Sequence, residues 1–414
     1  MAQRTDPVPV LAMAQTCGLV TDYHSSGGER LSETIIPGEG ILLGRARVPG
    51  FAHPRIVTVR GGEVFDITAK GMAMVRDIAE ADDPAGHVAS AKGEAIGTIE
   101  AILANSWAAN SSGDLPALLS PIDLQAIKAC GVTFVVSLLE RVIEEQARGD
   151  AARADALRGE ILTLIGTDLS ELVPGSDAAM KVKQALIARG LWSQYLEVGI
   201  GPDAEVFTKG QPMSSVGYGA DVGLHPTSQW NNPEPEVALL VSSAGRILGA
   251  TLGNDVNLRD VEGRSALLLG KAKDNNASAS LGPFIRLFEG SFSLATIAKA
   301  EIALKVTGED GFELTGSSSM GRISRSPESL VAATIGPHHQ YPDGLVLYLG
   351  TMFAPVMDRD GPGKGFTHKR GDIVSISTPT LGTLSNRVRL SNECPAWTYG
   401  ASHLLRDLAR ADLL

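Results

Sequence analysis

Two glutamates two residues apart stand at the head of a short apolar run. They are Glu234 and Glu236, and the run 237–241 (Val-Ala-Leu-Leu-Val) follows directly. Because side chains alternate between the two faces of a β-strand, a strand here would place both carboxylates on one face. Such a pair can bind a cation or exchange protons. The same Glu-x-Glu pattern is also typical of a strand face that is exposed to solvent.

A third acidic residue is predicted to join this pair across a hairpin. A second apolar run at 247–256 follows the small residues Ala244 and Gly245. This pattern is typical of two antiparallel strands joined by a tight turn. A two-residue turn centred on 244–245 pairs residues whose numbers sum to 489, which sets Asp255 opposite Glu234. Directly opposed Cβ atoms lie about 5 Å apart, although a register slip of one residue would turn Asp255 away.

Three converging carboxylates repel one another unless a cation lies among them. Hard oxygen ligands suit Mg²⁺, Mn²⁺ or Ca²⁺ better than zinc. Three protein ligands leave coordination positions for water or substrate oxygens, and this favours Mg²⁺. The residues Glu234, Glu236 and Asp255 are therefore the predicted metal ligands.

Composition limits the class of protein and its partners. The chain has 414 residues, 43% of them hydrophobic, so it can bury a large core. A net charge of −11 argues against nucleic-acid or anionic-membrane partners and leaves a small molecule as the expected partner. The scattered residues Cys17, Cys130 and Cys394 suggest neither a disulfide framework nor a zinc site. Without an apolar run of membrane-spanning length or a signal-peptide pattern, we expect a cytoplasmic protein.

The chain divides by pattern into an N-terminal arm (1–39), a small α+β domain (40–115) and a catalytic β domain (116–414) with a helical insertion (138–190). Alternating apolar residues predict strands in both domains, and the diglycine 61–62 predicts a type I′ hairpin. Helical spacing runs through the insertion, whose last helix is predicted at 177–189 with Ser176 as N-cap and Gly190 after its end. Many short strands with glycine turns suggest a rolled or barrel-like β architecture.

Together these motifs resemble the fumarylacetoacetate hydrolase superfamily across about residues 40–400. The resemblance lies in the Glu-x-Glu pair, Asp255, the Arg259-Asp260 dipeptide, the lysine segment 270–273 and the closing motifs 349–352 and 368–388. It implies an α+β fold: a mixed β-roll around one divalent metal ion, a smaller N-terminal α+β domain and a helical lid. It also implies a homodimer or a dimer of dimers.

One departure from the family pattern points to a particular branch. Hydrolases of this family carry a general-base histidine before the lid, and the corresponding stretch 131–137 ends here in Ser137. Hydrolysis without a base to activate water loses about 10²–10⁴-fold in rate. The long lid and the segments 192–209 and 270–278 resemble the 2-keto-3-deoxy-D-pentonate (xylonate/arabinonate) dehydratases instead.

This resemblance implies a hydro-lyase of pentose catabolism that converts 2-keto-3-deoxy-D-pentonate to 2,5-dioxopentanoate. In that reaction Mg²⁺, or Mn²⁺, acts as a Lewis acid on the keto group of the chelated substrate. Two alternatives stay open. One is a fumarylacetoacetate or acylpyruvate hydrolase that cleaves a C–C bond in a diketo acid with a base from elsewhere. The other is a catalytically silent homologue, although an unused carboxylate cluster would be costly.

The resemblance also assigns roles to further residues. Lys273 is the predicted base or enolate stabiliser, with a pKa lowered by a nearby cation and by burial; alternatively it only neutralises the acidic residues. Thr351 is expected to bind the substrate carboxylate, and Arg259 to orient the substrate or to brace Glu236. The general acid is expected from the lid, at Glu144 or Glu145.

Overall fold

The computed structural model describes residues 35–109, 111–134, 172–353, 355, 357–361 and 365–414, and the backbone of two short strands before them. The strands are β1 (Asp22–His24), β2 (Arg30–Ser32), β3 (Leu42–Arg47), β4 (Arg55–Arg60), β5 (Glu63–Asp66), β6 (Glu94–Thr98), β7 (Ala117–Leu119), β8 (Ala126–Gly131), β9 (Glu205–Gly210), β10 (Asp221–Leu224), β11 (Pro235–Val241), β12 (Ile247–Asp255), β13 (Ala279–Leu287), β14 (Glu301–Thr307), β15 (Glu313–Ser319), β16 (Leu345–Tyr348), β17 (Ile373–Thr378) and β18 (Gly382–Leu390).

Short helices connect these strands. They are α1 (Val75–Ala79), α2 (Pro84–Ser90), α3 (Ile99–Ser106), α4 (Asp177–Ala188), α5 (Gln194–Ile200), α6 (Arg259–Glu262), α7 (Leu269–Lys273), α8 (Leu294–Ile297), α9 (Pro327–Thr334) and α10 (Ala401–Arg410), with 3₁₀ turns at Ala266–Leu268 and Met320–Arg322. Among the described residues, none of these helices has the length and apolar character needed to cross a membrane.

Two mixed sheets form the body of the protein. The larger sheet has the strand order β6-β5-β4-β3-β13-β12-β11-β16-β8-β9, with β7 also paired to β3, and the smaller sheet has the order β10-β18-β17-β14-β15. Most neighbouring strands are antiparallel, but β16 pairs with β8 and β10 pairs with β18 in parallel. The predicted α+β class is confirmed, and the predicted mixed β architecture takes the form of these two sheets.

Strand β11 is buried on both faces. Val237 and Leu239 pack into a core cluster that also includes Leu304 of the smaller sheet. Ala238 and Leu240 pack into a second cluster on the opposite face. A strand covered on both sides needs a continuous apolar run rather than an alternating one, and this explains the run that follows the glutamates.

Several predicted turns and caps agree with the structure. Gly61 and Gly62 have φ of 58° and 84°, as a type I′ turn between β4 and β5 requires. The Ser176 side chain accepts a hydrogen bond from the Ala179 amide at the start of α4, and Gly190 has φ of 68° just beyond its end.

Other elements were not predicted, among them β8, α2, α5 and α10. Strand β8 lies inside the larger sheet between β16 and β9, and its short apolar run merges in the sequence with the helical spacing that begins at residue 135. Residues 135–171, which include Ser137, Glu144 and Glu145, lie outside the described residues. The roles predicted for these three residues remain predictions.

The N-terminal strands and the main hairpin belong to one sheet. Strand β3 pairs with β4 on one side and with β13 on the other. Because β13 also pairs with β12, the small N-terminal unit continues directly into the strands that carry the acidic residues. The division of the chain at residue 115 stays a prediction.

Candidate active site

The acidic hairpin has the predicted register. Cross-strand partners run from Pro235 with Asn254 to Leu240 with Gly249, and each pair sums to 489. The Asp255 amide donates to the Glu234 carbonyl at 3.0 Å, so the pairing extends one residue beyond β11. Glu234 and Asp255 therefore lie opposite each other, as the sequence predicted.

The turn of this hairpin differs from the predicted two-residue form. The Ser242 amide donates to the Arg246 carbonyl at 2.9 Å, which leaves three residues in the loop, and Gly245 has φ of 77°. A three-residue loop alone would give pairs that sum to 488. A register shift between Leu240 and Val241 adds one residue and restores the predicted pairing.

The three predicted metal ligands come together in an acidic cluster, a term we use for Glu234, Glu236 and Asp255. Each residue offers a carboxylate oxygen, and these oxygens lie within 4.8 Å of one another. The three residues are 1%, 0% and 1% exposed. The alternative of a solvated strand face is therefore wrong.

Two buried lysines border this cluster. The Lys273 ammonium donates to a carboxylate oxygen of Glu234 and to Asp255 Oδ2, the latter at 3.1 Å. Lys209 Nζ forms an ion pair with Asp255 Oδ1 at 2.8 Å. Lys209 was missed at the sequence level, because a lysine in a strand of mixed polarity is ordinarily exposed to solvent.

Burial and charge oppose each other at Lys273. Burial alone would lower the pKa of this ammonium, but the carboxylates of Asp255 and Glu234 outweigh burial and raise its pKa above the ordinary value. The sequence had suggested a lowered pKa. The direction differs because that prediction counted a cation among the carboxylates, whereas here Lys273 itself compensates them.

At Glu236 burial and the neighbouring carboxylates act in the same direction, and both favour the neutral carboxyl. Burial, together with repulsion from Asp255 and Glu234, raises the pKa of its carboxyl well above the ordinary value. The Gly350 amide donates to Glu236 Oε2 at 2.7 Å, and the Thr351 hydroxyl donates to Oε1 at 3.3 Å. Thr351, predicted to bind the substrate carboxylate, thus lies directly beside a predicted metal ligand.

Residues 131–134 contact the loop that contains Gly350. The Thr133 hydroxyl donates to the Leu349 carbonyl at 2.6 Å. Gly350 has φ of 103°, and a Cβ at that position would collide with the Thr133 hydroxyl, so glycine is required there. The stretch 131–134 is therefore fixed to the loop whose amide contacts Glu236.

Arg259 lies at the start of α6, with its guanidinium 4.5 Å from the centre of the Trp230 ring. Nearby, the Asn257 side chain donates to Glu234 Oε1 at 2.9 Å and also to Glu262. The contact that holds the far oxygen of Glu234 thus comes from Asn257, a residue that the sequence patterns did not single out.

The donor set fits a hard divalent cation. Three carboxylates converge in a buried position, and the raised pKa of Glu236 reflects burial together with repulsion from its neighbours, of which a cation would relieve the repulsion. Each ionised carboxylate oxygen has more than one lone pair, so the hydrogen bonds already present do not prevent coordination. The side-chain oxygens of Asn232 and Asn257, both buried, have no hydrogen-bond partner among the described residues and add acceptor capacity beside the cluster.

Comparison with known proteins agrees with this geometry. The model of the fumarylacetoacetate (FAA) hydrolase C-terminal family matches residues 197–389, a range that contains the acidic cluster and both lysines. Residues 197–389 form a fumarylacetoacetate hydrolase domain. The superfamily predicted from the sequence is confirmed over this domain.

Two curated relatives cover the domain. A 2-dehydro-3-deoxy-D-arabinonate dehydratase of Saccharolobus solfataricus is 32% identical over 185 residues, which are 45% of this chain and 58% of the relative. A probable 2-keto-3-deoxyxylonate dehydratase of Haloferax volcanii is 29% identical over 194 residues, 47% of this chain and 63% of the relative. The chain thus spans about three fifths of the length of these relatives.

A solved structure shares the fold beyond the domain. A 2-keto-3-deoxy-D-arabinonate dehydratase complexed with magnesium and 2,5-dioxopentanoate has a TM-score of 0.56 and 20% identity; the match covers 84% of this chain and 99% of the other. At this identity the comparison establishes the fold only.

The glutamates of the fumarylacetoacetate hydrolase domain should respond differently to neutralisation. Gln at 236 can accept from the Gly350 amide and donate to the Thr351 hydroxyl, and it removes a carboxylate that is repelled by its neighbours. We expect cation-free Glu236→Gln to be at least as stable as the wild type at pH 7. In Glu234→Gln the new amide group would face Lys273 or Asn257, both donors, and we expect a loss of about 1–3 kcal/mol in the free energy of unfolding.

Thermal unfolding of chelated protein between pH 5 and pH 8 measures this difference. A carboxyl whose folded pKa is raised binds its proton more tightly in the folded state, so its contribution to stability falls as pH rises above the ordinary value of about 4.3. Glu236→Gln should remove this part of the pH dependence. A Glu236→Gln variant that is less stable than Glu234→Gln would contradict the proposed electrostatics.

Proposed function

We propose that this protein is a Mg²⁺-dependent hydro-lyase that dehydrates 2-keto-3-deoxy-D-pentonate to 2,5-dioxopentanoate. The observation that carries the proposal is the buried acidic cluster with the ammonium of Lys273 in contact with two of its members. The printed names of the curated relatives support the substrate class.

The acidic cluster would hold the cation. Glu234, Glu236 and Asp255 supply three oxygen ligands and leave positions for two substrate oxygens. When bound, Mg²⁺ supplies Lewis-acid polarisation of the substrate's keto group; Mn²⁺ could replace it. Thr351, which already donates to Glu236, is placed to turn its hydroxyl toward the substrate carboxylate.

The chain's own residues then move protons. With the carboxylates compensated by a bound cation, Lys273 could give up its proton to solvent and act as a neutral amine. The amine then accepts a proton from C3, beside the keto group, and the electron pair of that C–H bond expels the C4 hydroxyl, which leaves as water with a proton from a general acid. Loss of a proton from C5 and protonation at C3 give the enol of 2,5-dioxopentanoate, and this enol becomes the aldehyde when its hydroxyl loses a proton and C4 gains one. One water is lost overall, and no oxidant is required.

Several finer assignments belong to this proposal. The general acid is Glu144 or Glu145, Arg259 orients the substrate, and Ser137 stands where a hydrolase needs its histidine. The working protein is a cytoplasmic homodimer or a dimer of dimers in pentose catabolism.

Product analysis tests the reaction type. In D₂O with Mg²⁺, 2-keto-3-deoxy-D-pentonate should yield 2,5-dioxopentanoate with solvent deuterium on carbon, visible by NMR and mass spectrometry. The matched incubation with an acylpyruvate should leave that compound intact. Pyruvate and a two-carbon fragment from the first substrate, or rapid cleavage of the second, would instead establish C–C bond cleavage.

A further inference from the structure

Lys209 is a charged side chain with no access to solvent. It is 0% exposed and among the largest fully buried side chains of the described residues. Its ammonium donates to the carbonyls of Val256 and Lys273 at 3.0 and 2.5 Å, and lies 2.8 Å from Asp255 Oδ1 and 3.4 Å from Ser278 Oγ. All four contacts are oxygens, so the ammonium is held as a bound inorganic cation would be.

These oxygens come from separate segments of the chain. Asp255 ends β12 and Val256 follows it, Lys273 is the last residue of α7, and Ser278 precedes β13. Helix α7 has five residues and is too short to hold its own position by backbone hydrogen bonds alone. Ser278 Oγ also donates to the Lys273 carbonyl at 2.7 Å, so the end of α7 is joined to the residue before β13.

The contacts of Lys209 connect a predicted metal ligand, Asp255, to the predicted base, Lys273. Asp255 contacts Lys209 through Oδ1 and Lys273 through Oδ2, while Lys209 contacts the main chain of Lys273. Moving Lys209 would therefore release both the carboxylate and the helix end that carries the Lys273 side chain. Partners that orient metal ligands in this way typically affect metal affinity by about 10–100-fold.

We propose that Lys209 is a positioning residue: its ammonium acts as a built-in cation that fixes Asp255 and Lys273 relative to each other for cation binding and proton transfer. The proposal rests on the proposed function for the role of Lys273. Charge supports it as well. The ammonium of Lys209 compensates one carboxylate charge of the acidic cluster through its ion pair with Asp255 and so limits the repulsion that a bound cation must relieve.

A purely structural lysine would behave differently from a positioning one. If Lys209 only filled and stabilised the interior, a folded variant would bind the cation with wild-type affinity. If it positions Asp255, cation affinity falls even where the variant remains folded. Cation binding measured without substrate therefore separates the two, and it does not depend on which reaction the enzyme catalyses.

The test compares Lys209→Met with Lys128→Met. Methionine has a similar length to lysine but carries no charge. Lys128 lies on the adjacent strand β8, where its ammonium donates to the Thr208 hydroxyl at 2.9 Å, away from the acidic cluster. Calorimetric titration of the chelated proteins with Mg²⁺ should show a Kd raised at least 10-fold in Lys209→Met and unchanged in Lys128→Met. Wild-type affinity in folded Lys209→Met would overturn the proposal.

Activity provides a second readout. At saturating Mg²⁺, Lys209→Met should also lower kcat at least 10-fold because Lys273 is displaced, whereas Lys128→Met should retain wild-type kcat.

If Lys209→Met does not fold, Ser278→Ala replaces it, since that change keeps Lys209 but removes an oxygen that contacts both its ammonium and the Lys273 carbonyl. Weakened Mg²⁺ binding in Ser278→Ala would support the proposal, and unchanged binding would overturn it. Absence of dehydration in the wild type would count against the proposed function alone.

Discussion

Alanine in place of Lys273 is expected to lower kcat by about 10²–10⁴-fold, the range for loss of a general acid or base. Lys273 is 3% exposed, and its ammonium contacts Glu234 and Asp255, so water cannot readily take its place. Lys271→Ala is a matched control, because Lys271 is an exposed lysine on the same short helix. Ser137→Ala should also have a small effect if no hydrolytic base is needed there.

Proton exchange can separate a base from a residue that only neutralises charge. 2-Oxopentanoate has the same keto acid group as the proposed substrate but no hydroxyl to expel. The wild-type enzyme with Mg²⁺ should exchange its C3 protons with D₂O, and Lys273→Ala should not, while Lys271→Ala should behave as the wild type. If Lys273→Ala keeps more than a tenth of the wild-type exchange rate, Lys273 is not the base and its role is charge compensation.

The acidic cluster was predictable from the sequence because its geometry is local. Glu234 and Glu236 share a strand face by the period of two, and Asp255 follows from the hairpin register. The predicted turn was one residue too short, and the register shift beside Val241 compensated for that error. The prediction of the register therefore depended on a bulge that no turn residue indicates.

The supporting residues could not be found in this way, because tertiary contacts select them. Lys209 contacts Asp255 from strand β9, whose partner in the sheet is β8, and β8 itself was not predicted. Glu236 receives its hydrogen bonds from Gly350 and Thr351, which are more than one hundred residues away in the chain. The sequence thus predicts that the three carboxylates of the acidic cluster come together, but not the groups that position them and balance their charge.

Removal of the divalent cation is expected to abolish activity, and Mg²⁺ or Mn²⁺ should restore it. The acidic cluster is buried, and Lys273 can compensate only part of its charge, so EDTA-treated protein should also unfold at a lower temperature than the loaded protein. A ligand at 100 times its Kd stabilises the folded state by about 2.7 kcal/mol. Addition of Mg²⁺ should therefore raise the Tm in a concentration-dependent manner.

Cation binding should also depend on pH in a defined direction. In the cation-free protein the pKa of Glu236 is raised well above its ordinary value by burial and by repulsion from Asp255 and Glu234. A ligand carboxyl must lose its proton to coordinate, so binding releases a proton and affinity rises with pH until Glu236 is ionised without the cation. Titrations in buffers of different ionisation enthalpy measure the released proton, and Glu236→Gln should neither release it nor bind Mg²⁺ tightly. Full turnover in EDTA, with no change in Tm on adding Mg²⁺, would show that the acidic cluster is not a metal site.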